Sequence, residues 1–368
     1  MNNKKKLFHW IANVMLTLGI ALFLVGFLSF KVGLTNAKFP SAALNTFLKT
    51  AGTPMLITGI VLFVLSIIIA NVPEAKRLGT RSFFPYIVIL PAFLFLLVFT
   101  VYPVFDVNYL SLFSGTVISP TKRYVGLNNY KTLISVNRDF GITLKNTAVY
   151  TVAMVILLIS LALIFAVWFQ KKRKINNLGQ AIIFMPYLVA SVTAGFVFQW
   201  LFNDNSYGAF NTILRWFGIA PVNWLNNPKT AMGCIVVLNL WDKIGYFSLI
   251  LLSSLKSIPA EIYEAAELDS STTAKTFFKI TLPMLSPQLF FLLITITTGS
   301  FKVFDSINIM TEGGPGNATS VISLFIYKYA FSLNKLGIAS AAGVVLMLIL
   351  IVVTIVDFAF VERKVHYE

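Results

Sequence analysis

The chain has 368 residues, of which 57% are hydrophobic, 14% aromatic and 12% charged, with a formal net charge of +15 and a mean hydropathy of +0.80. A soluble domain carries about 25% charged residues, so this composition excludes an ordinary soluble enzyme and also an intrinsically disordered chain. The single cysteine, Cys234, excludes a disulfide scaffold. The only histidines, His9 and His366, lie near the termini, so no histidine-based metal site or catalytic triad is expected.

Long apolar runs predict membrane-spanning helices, because a bilayer core about 30 Å thick requires about 20 consecutive apolar residues. Eight runs have this length: 11–30, 51–72, 82–105, 146–169, 175–200, 230–255, 280–301 and 336–356. The sixth is interrupted by Asp242 and Lys243. Continuous runs favour a helical bundle over a β-barrel, so the expected fold class is an all-α membrane protein with eight transmembrane helices.

The distribution of Lys and Arg predicts the orientation. These residues are more than twice as dense in the segments on one side, which include the cluster 171–174, as in the loops on the other side. Basic loops stay in the cytoplasm, so we expect both termini there. This rule explains the basic clusters better than binding of nucleic acid, and no nucleic-acid partner is expected.

A polar stretch at 73–81 separates the first two spans from the rest. We therefore predict an N-terminal part, 1–81, with a cytoplasmic tail and two extra transmembrane helices, and a six-helix core at 82–368. The first run is long and lacks a small-residue cleavage site, so it is interpreted as a retained anchor instead of a signal peptide.

No phosphate-binding G-x-x-x-x-G-K-[ST] motif is present in the sequence. The chain is therefore not expected to hydrolyse nucleotides alone, and no catalytic residue is assigned. Acidic residues that could relay protons in an ion-coupled carrier are limited to Asp242 and Asp305, each next to or near a lysine. Such coupling is a weaker hypothesis.

The loop between the sixth and seventh runs, 256–283, predicts two short helices. Pro259 followed by Glu261 and Glu264 is typical of a helix start, and Ile262, Ala265, Ala266 and Leu268 would form its apolar stripe. The polar run 269–273 would end this helix and cap a second one, and Pro283 would redirect the chain into the next span. The first helix is acidic, which disfavours an interfacial position on anionic lipid and favours docking to a partner protein.

This loop resembles the EAA loop of permease subunits of binding-protein-dependent ABC importers. The motif residues, with Ser270 in place of the family's glycine, are Glu264, Ala265, Ala266, Asp269, Ser270, Ile280, Leu282 and Pro283. Ser270 raises the free energy of a positive φ at the turn. The stretches Tyr124–Tyr130, Met185-Pro186-Tyr187 and Thr311–Pro315 are similar to landmarks of the carbohydrate-uptake branch, and the eight predicted spans resemble its larger maltose-type subunit.

The resemblance implies a type I importer fold, a bacterial inner-membrane location and transport of a sugar or oligosaccharide. It also implies a heterodimer with a second permease subunit, an extracellular solute-binding protein and two ATPase subunits. Those ATPases would bind ATP and magnesium and would grip the coupling loop 256–283, so this chain is expected to carry no cofactor and no metal.

A substrate path is predicted on the sixth and seventh spans. Asn239, Lys243 and Tyr246 share one helical face, and a charge inside a membrane should face a cavity or a partner. By resemblance, Gly299, Ser300 and Val303 on the seventh span belong to the same path. Lys243 could instead pair with Asp242 or Asp305, and the polar residues could bond helix to helix.

Three other functions stay open from the sequence. A glycerol-phosphate importer would use Lys243 and Lys302 as anion partners. An ion-coupled secondary carrier would work without partner subunits, and a membrane-embedded scaffold or sensor would carry no flux.

Overall fold

A computed structural model describes parts of 10–27 and 54–65, residue 89, and residues 92–361 with gaps at 94, 118–121, 172–173, 206 and 270. Much of the first three predicted spans, two residues of the basic cluster, the boundary near residue 81 and Ser270 lie outside the described residues. The number of eight spans and the division at residue 81 therefore stay predictions.

The described core is helical apart from one small hairpin. Its first elements are α1 Tyr102–Ser111, β1 Phe113–Ser114, β2 Arg123–Tyr124, α2 Asn128–Lys131, α3 Arg138–Gln170, α4 Lys174–Phe184, α5 Ser191–Leu201 and α6 Ala209–Trp216. The remaining helices are α7 Ala231–Ser257, α8 Ala260–Leu268, α9 Thr273–Thr276, α10 Leu282–Met284, α11 Ser286–Phe301, α12 Asp305–Met310, α13 Ile322–Tyr327 and α14 Leu336–Val356.

Three described helices are long and apolar enough to cross a membrane, namely Arg138–Gln170, Ala231–Ser257 and Leu336–Ala359. Two further candidates are bent pairs. Ile175–Leu188 meets Ser191–Leu201 at 99°, and Thr273–Met284 meets Ser286–Phe301 at 65°. The run 175–200, predicted as the fifth span, is therefore a bent pair of helices and not one straight helix.

The break in the fifth span has a local cause. Pro186 lies in a single 3₁₀ turn, Met185–Leu188, and has no backbone N–H to continue an α-helix. Val189 and Ala190 then adopt extended backbone angles before α5 begins. In the seventh span, the bend falls at Leu285, two residues after Pro283, as the proline suggested.

The chain divides into two compact units. The smaller consists of Met1–Leu133 and Tyr329–Val344, and the larger of Ile134–Lys328 and Val345–Glu368. In the smaller unit β1 pairs antiparallel with β2, Phe113 opposite Tyr124. The Asn129 amide donates to the carbonyls of Ser111, at 2.7 Å, and Phe113, at 2.9 Å, so the motif at 124–130 fastens the end of α1.

The core of the larger unit is built on α3. Its buried residues Tyr150, Met154, Leu158, Ala162 and Ala166 recur every four positions and form one stripe. They belong to a cluster with apolar residues of α7 and α11. Small residues let helices approach closely in a membrane, where dispersion contacts drive packing.

Candidate coupling element and substrate path

The predicted two-helix hairpin is present. The first helix, α8, begins after Pro259, has Glu261 in its first turn, and ends at Asp269, whose backbone N–H bonds to the carbonyl of Ala265 at 3.2 Å. The second segment begins with α9, and the Thr272 hydroxyl accepts a hydrogen bond from the backbone N–H of Lys275 at 3.4 Å. The predicted cap from the polar run is therefore confirmed.

Burial divides the coupling residues into two sets. Ala266 is buried, whereas Glu264, Ala265 and Asp269 are exposed. Along the predicted apolar stripe, Ile262 is half-buried, whereas Ala265 is exposed and Leu268 is 87% exposed. The exposed side chains of this nine-residue helix are therefore available to a partner.

The second half of the motif leads from the hairpin into α11. Ile280, Leu282 and Pro283 are half-buried, and Leu285 at the bend is fully buried. The hydroxyls of Tyr263 and Thr281 lie 3.3 Å apart and tie the two segments of the hairpin together. This contact connects α8 to the segment that precedes α11.

Two residues of the predicted substrate path are joined by a hydrogen bond. Asn239 is buried, and its amide donates to the carbonyl of Ile235 at 2.9 Å and to the Ser306 hydroxyl at 3.0 Å. The Lys243 ammonium, which is half-buried, donates to Asn239 Oδ1 at 3.4 Å. Lys243 also interacts electrostatically with Asp242, one of the two aspartates considered for it from the sequence.

Tyr246 contacts Tyr187, which was not predicted from the sequence to lie in this region. Its ring stacks on the ring of Tyr187, with centroids 4.4 Å apart and planes at 10°. Tyr187 lies in the 3₁₀ turn of the broken span and is exposed. The motif Met185-Pro186-Tyr187 was noticed as a landmark, but only the bend of the chain brings its ring to α7.

The three residues predicted on the seventh span do not form one accessible face. Ser300 and Val303 are buried, and the backbone N–H of Val303 bonds to the carbonyl of Ser300 at 3.2 Å. Gly299 is exposed, with open space where a Cβ would stand. Of the three, Gly299 alone presents surface in this conformation.

Residues 158–367 match the family described as the binding-protein-dependent transport system inner membrane component. The chain belongs to this family. It is therefore the membrane-embedded permease subunit of a binding-protein-dependent importer, as the resemblance of the EAA loop implied.

Curated relatives agree over most of their length. The trehalose/maltose transport system permease protein MalF of Thermococcus litoralis is 36% identical over 271 residues, which cover 74% of this chain and 91% of that protein. The sn-glycerol-3-phosphate transport system permease protein UgpA of Agrobacterium fabrum is 31% identical over 286 residues, 77% of this chain and 96% of that protein.

A solved bacterial ABC transporter involved in the import of the acidic polysaccharide alginate has the same fold. One of its chains superposes with a TM-score of 0.71 at 22% sequence identity, covering 79% of this permease and 99% of that chain. The type I importer fold expected from the sequence is confirmed.

Proposed function

We propose that this permease conducts a sugar or oligosaccharide, delivered by an extracellular binding protein, into the cytoplasm. The observation that carries the proposal is the stacking of the Tyr187 ring on the Tyr246 ring. Tyr246 lies on the same helix as Asn239 and Lys243, which are joined by a hydrogen bond. Aromatic faces pack against the C–H faces of a sugar, and amide and ammonium groups bond its hydroxyls. The maltose-type relative supports the same substrate class.

The proposed importer also contains partner subunits. We assign to it a second permease subunit and two ATPase subunits that hold ATP and magnesium, with both termini and the hairpin 256–283 on the cytoplasmic side. Closure of the ATPases would push Glu264 and Ala265, which are exposed. The Tyr263–Thr281 contact would pass this push to the bend at Leu285, so that α11 reorients between inward-open and outward-open packings.

Glycerol phosphate is the second candidate substrate. The half-buried ammonium of Lys243 suits a phosphate, and a glycerol-3-phosphate permease is among the relatives. The hydrogen bond from Lys243 to Asn239 uses one of the three ammonium donors, so Lys243 is able to serve either substrate, and the aromatic stack of Tyr187 on Tyr246 favours the sugar.

The test is transport by the assembled importer in proteoliposomes. In the presence of ATP, binding protein loaded with an oligosaccharide should stimulate both ATP hydrolysis and sugar uptake. Binding protein supplied with glycerol 3-phosphate should stimulate neither ATP hydrolysis nor uptake. Flux from this chain alone, driven by an ion gradient without ATP, would contradict the proposal. Uptake of glycerol 3-phosphate in preference to sugar would select the second candidate.

A further inference from the structure

The short helix α6, between α5 and α7, presents an uncovered apolar face. Ile213, Trp216 and Phe217 follow the i, i+3, i+4 spacing of one helical face and are 42%, 78% and 75% exposed. Ile219 continues the patch beyond the helix and is also exposed. Exposure of such a cluster of large apolar side chains to water is unfavourable, so we expect lipid or another molecule to cover it.

The opposite side of α6 is fixed by one buried amide. Asn211 Oδ1 accepts hydrogen bonds from the backbone N–H of Val222 at 3.0 Å and from Trp224 Nε1 at 2.9 Å. Its Nδ2 donates to the carbonyls of Asn203 and Val222, each at 3.1 Å. The rotation of α6 about its axis is therefore set, and so is the direction of its apolar face.

The two loop segments that flank α6 are joined to each other as well. The Asp204 carboxylate accepts hydrogen bonds from the backbone N–H groups of Leu225, at 3.0 Å, and Asn226, at 3.2 Å. A Cβ at Gly208 would overlap the carbonyl of Asn203, so the chain is closely packed where it enters α6. The segments before and after α6 are thus joined to each other between the end of α5 at Leu201 and the start of α7 at Ala231.

We propose that the face formed by Ile213, Trp216 and Phe217 lies in the boundary between headgroups and acyl chains of the bilayer, with lipid as its partner. Both ends of this loop join membrane segments, which places α6 at the membrane surface. Tryptophan is enriched at that depth, and an interfacial helix carries aromatic residues on one face and basic residues on its polar face, where Arg215 lies.

A transient docking surface for the binding protein would differ in composition. Such interfaces surround their aromatic core with a polar rim that hydrogen-bonds the partner, and aromatic residues occur in both settings, so the experiment below includes the binding protein as the rival occupant. The inference depends on the membrane location of the chain and not on the identity of the substrate.

The experiment places a fluorophore on α6 in the complete transporter, reconstituted in lipid nanodiscs. Trp216→Cys carries the label on the apolar face, and Arg215→Cys, which replaces an exposed neighbour on the other side of the helix, is the matched control. Cys234 is buried, and the unsubstituted protein measures background labelling. Quenching by a lipid with a nitroxide high on its acyl chain is compared with quenching by aqueous iodide.

We expect the ratio of lipid quenching to iodide quenching to be at least about threefold higher at 216 than at 215. Equal iodide quenching at the two positions would overturn the proposal. A label at 216 that neither quencher reaches, or that loses lipid quenching when loaded binding protein is added, would also overturn it, because a protein then covers the face. Phe217→Cys repeats the measurement if Trp216→Cys does not assemble. The readout needs no transport, so it is independent of the proposed substrate.

Discussion

The side-chain amide of Asn239 donates a 3.0 Å hydrogen bond to the Ser306 hydroxyl and so joins α7 to α12 within the buried interior. The oxygen of the same amide accepts a hydrogen bond from the Lys243 ammonium. A residue placed on the substrate path by its spacing therefore also connects two helices. Any movement that separates α7 from α12 must break this bond, whereas the contact of Lys243 with Asn239 lies within α7 and is kept.

The Asn239–Ser306 bond gives a first prediction. Ser306→Ala should lower the free energy of unfolding by about 0.6–1.5 kcal/mol, because Asn239 loses one acceptor but keeps the carbonyl of Ile235. Unfolding in mixed detergent micelles measures the effect. Ser254→Ala is the control, since the Ser254 hydroxyl bonds only within α7, to Ile250 at 3.5 Å. Equal losses in the two variants would show that the interhelical bond adds nothing.

The Tyr187–Tyr246 stack gives a second prediction. Tyr246→Phe keeps a ring at 4.4 Å from Tyr187 and should retain most of the uptake. Tyr246→Ala removes an aromatic contact that contributes about 0.5–1.5 kcal/mol of interaction free energy. We therefore expect kcat/KM for sugar uptake to fall by about threefold to tenfold. ATP-driven uptake in proteoliposomes over a range of loaded binding protein concentrations gives both parameters. If the alanine variant transports as well as the phenylalanine variant, the ring does not contact substrate.

The coupling hairpin gives a third prediction. Glu264 and Glu267 are both exposed on α8, but only Glu264 belongs to the EAA pattern. Glu264→Lys should reduce sugar uptake by at least about tenfold and remove the stimulation of ATP hydrolysis by the binding protein, since a reversed charge opposes docking. Glu267→Lys makes the same charge change outside the pattern and should have a smaller effect. Similar loss in both variants would indicate a general charge effect instead of a specific contact.

Much of the fold follows from local sequence rules. The apolar run at 336–356 coincides with α14, α7 extends only slightly beyond its predicted run, and the hairpin has its two predicted helices with a cap from Thr272. Each depends on neighbours within a few positions, namely continuous apolar residues, a proline at a helix start, or a hydroxyl before a helix.

The remaining features depend on contacts far apart in sequence. Pro186 permits a break, but the 99° angle is set by the helices packed around it. The stack of Tyr187 on Tyr246 requires that bend, and the Asn239–Ser306 bond joins residues 67 positions apart. Hydrophobic periodicity contains no information on such pairs, which is why Tyr187 was missed and Gly299, Ser300 and Val303 were expected on one accessible face.

The close approach of α7 to α4 gives the last prediction. A Cβ at Gly245 would overlap the backbone carbonyl of Ile183, which cannot move aside as a flexible side chain could. Gly245→Ala should therefore lower the free energy of unfolding by about 1–3 kcal/mol, through forced separation of the two helices. Gly233→Ala is matched to it, because Gly233 lies in the same helix with open space around its Cβ position. There the substitution should be neutral or raise stability by up to about 1 kcal/mol, since alanine has the higher helix propensity. Thermal unfolding of the two purified variants decides the matter: equal melting temperatures would mean that α7 and α4 are not in close backbone contact at Gly245.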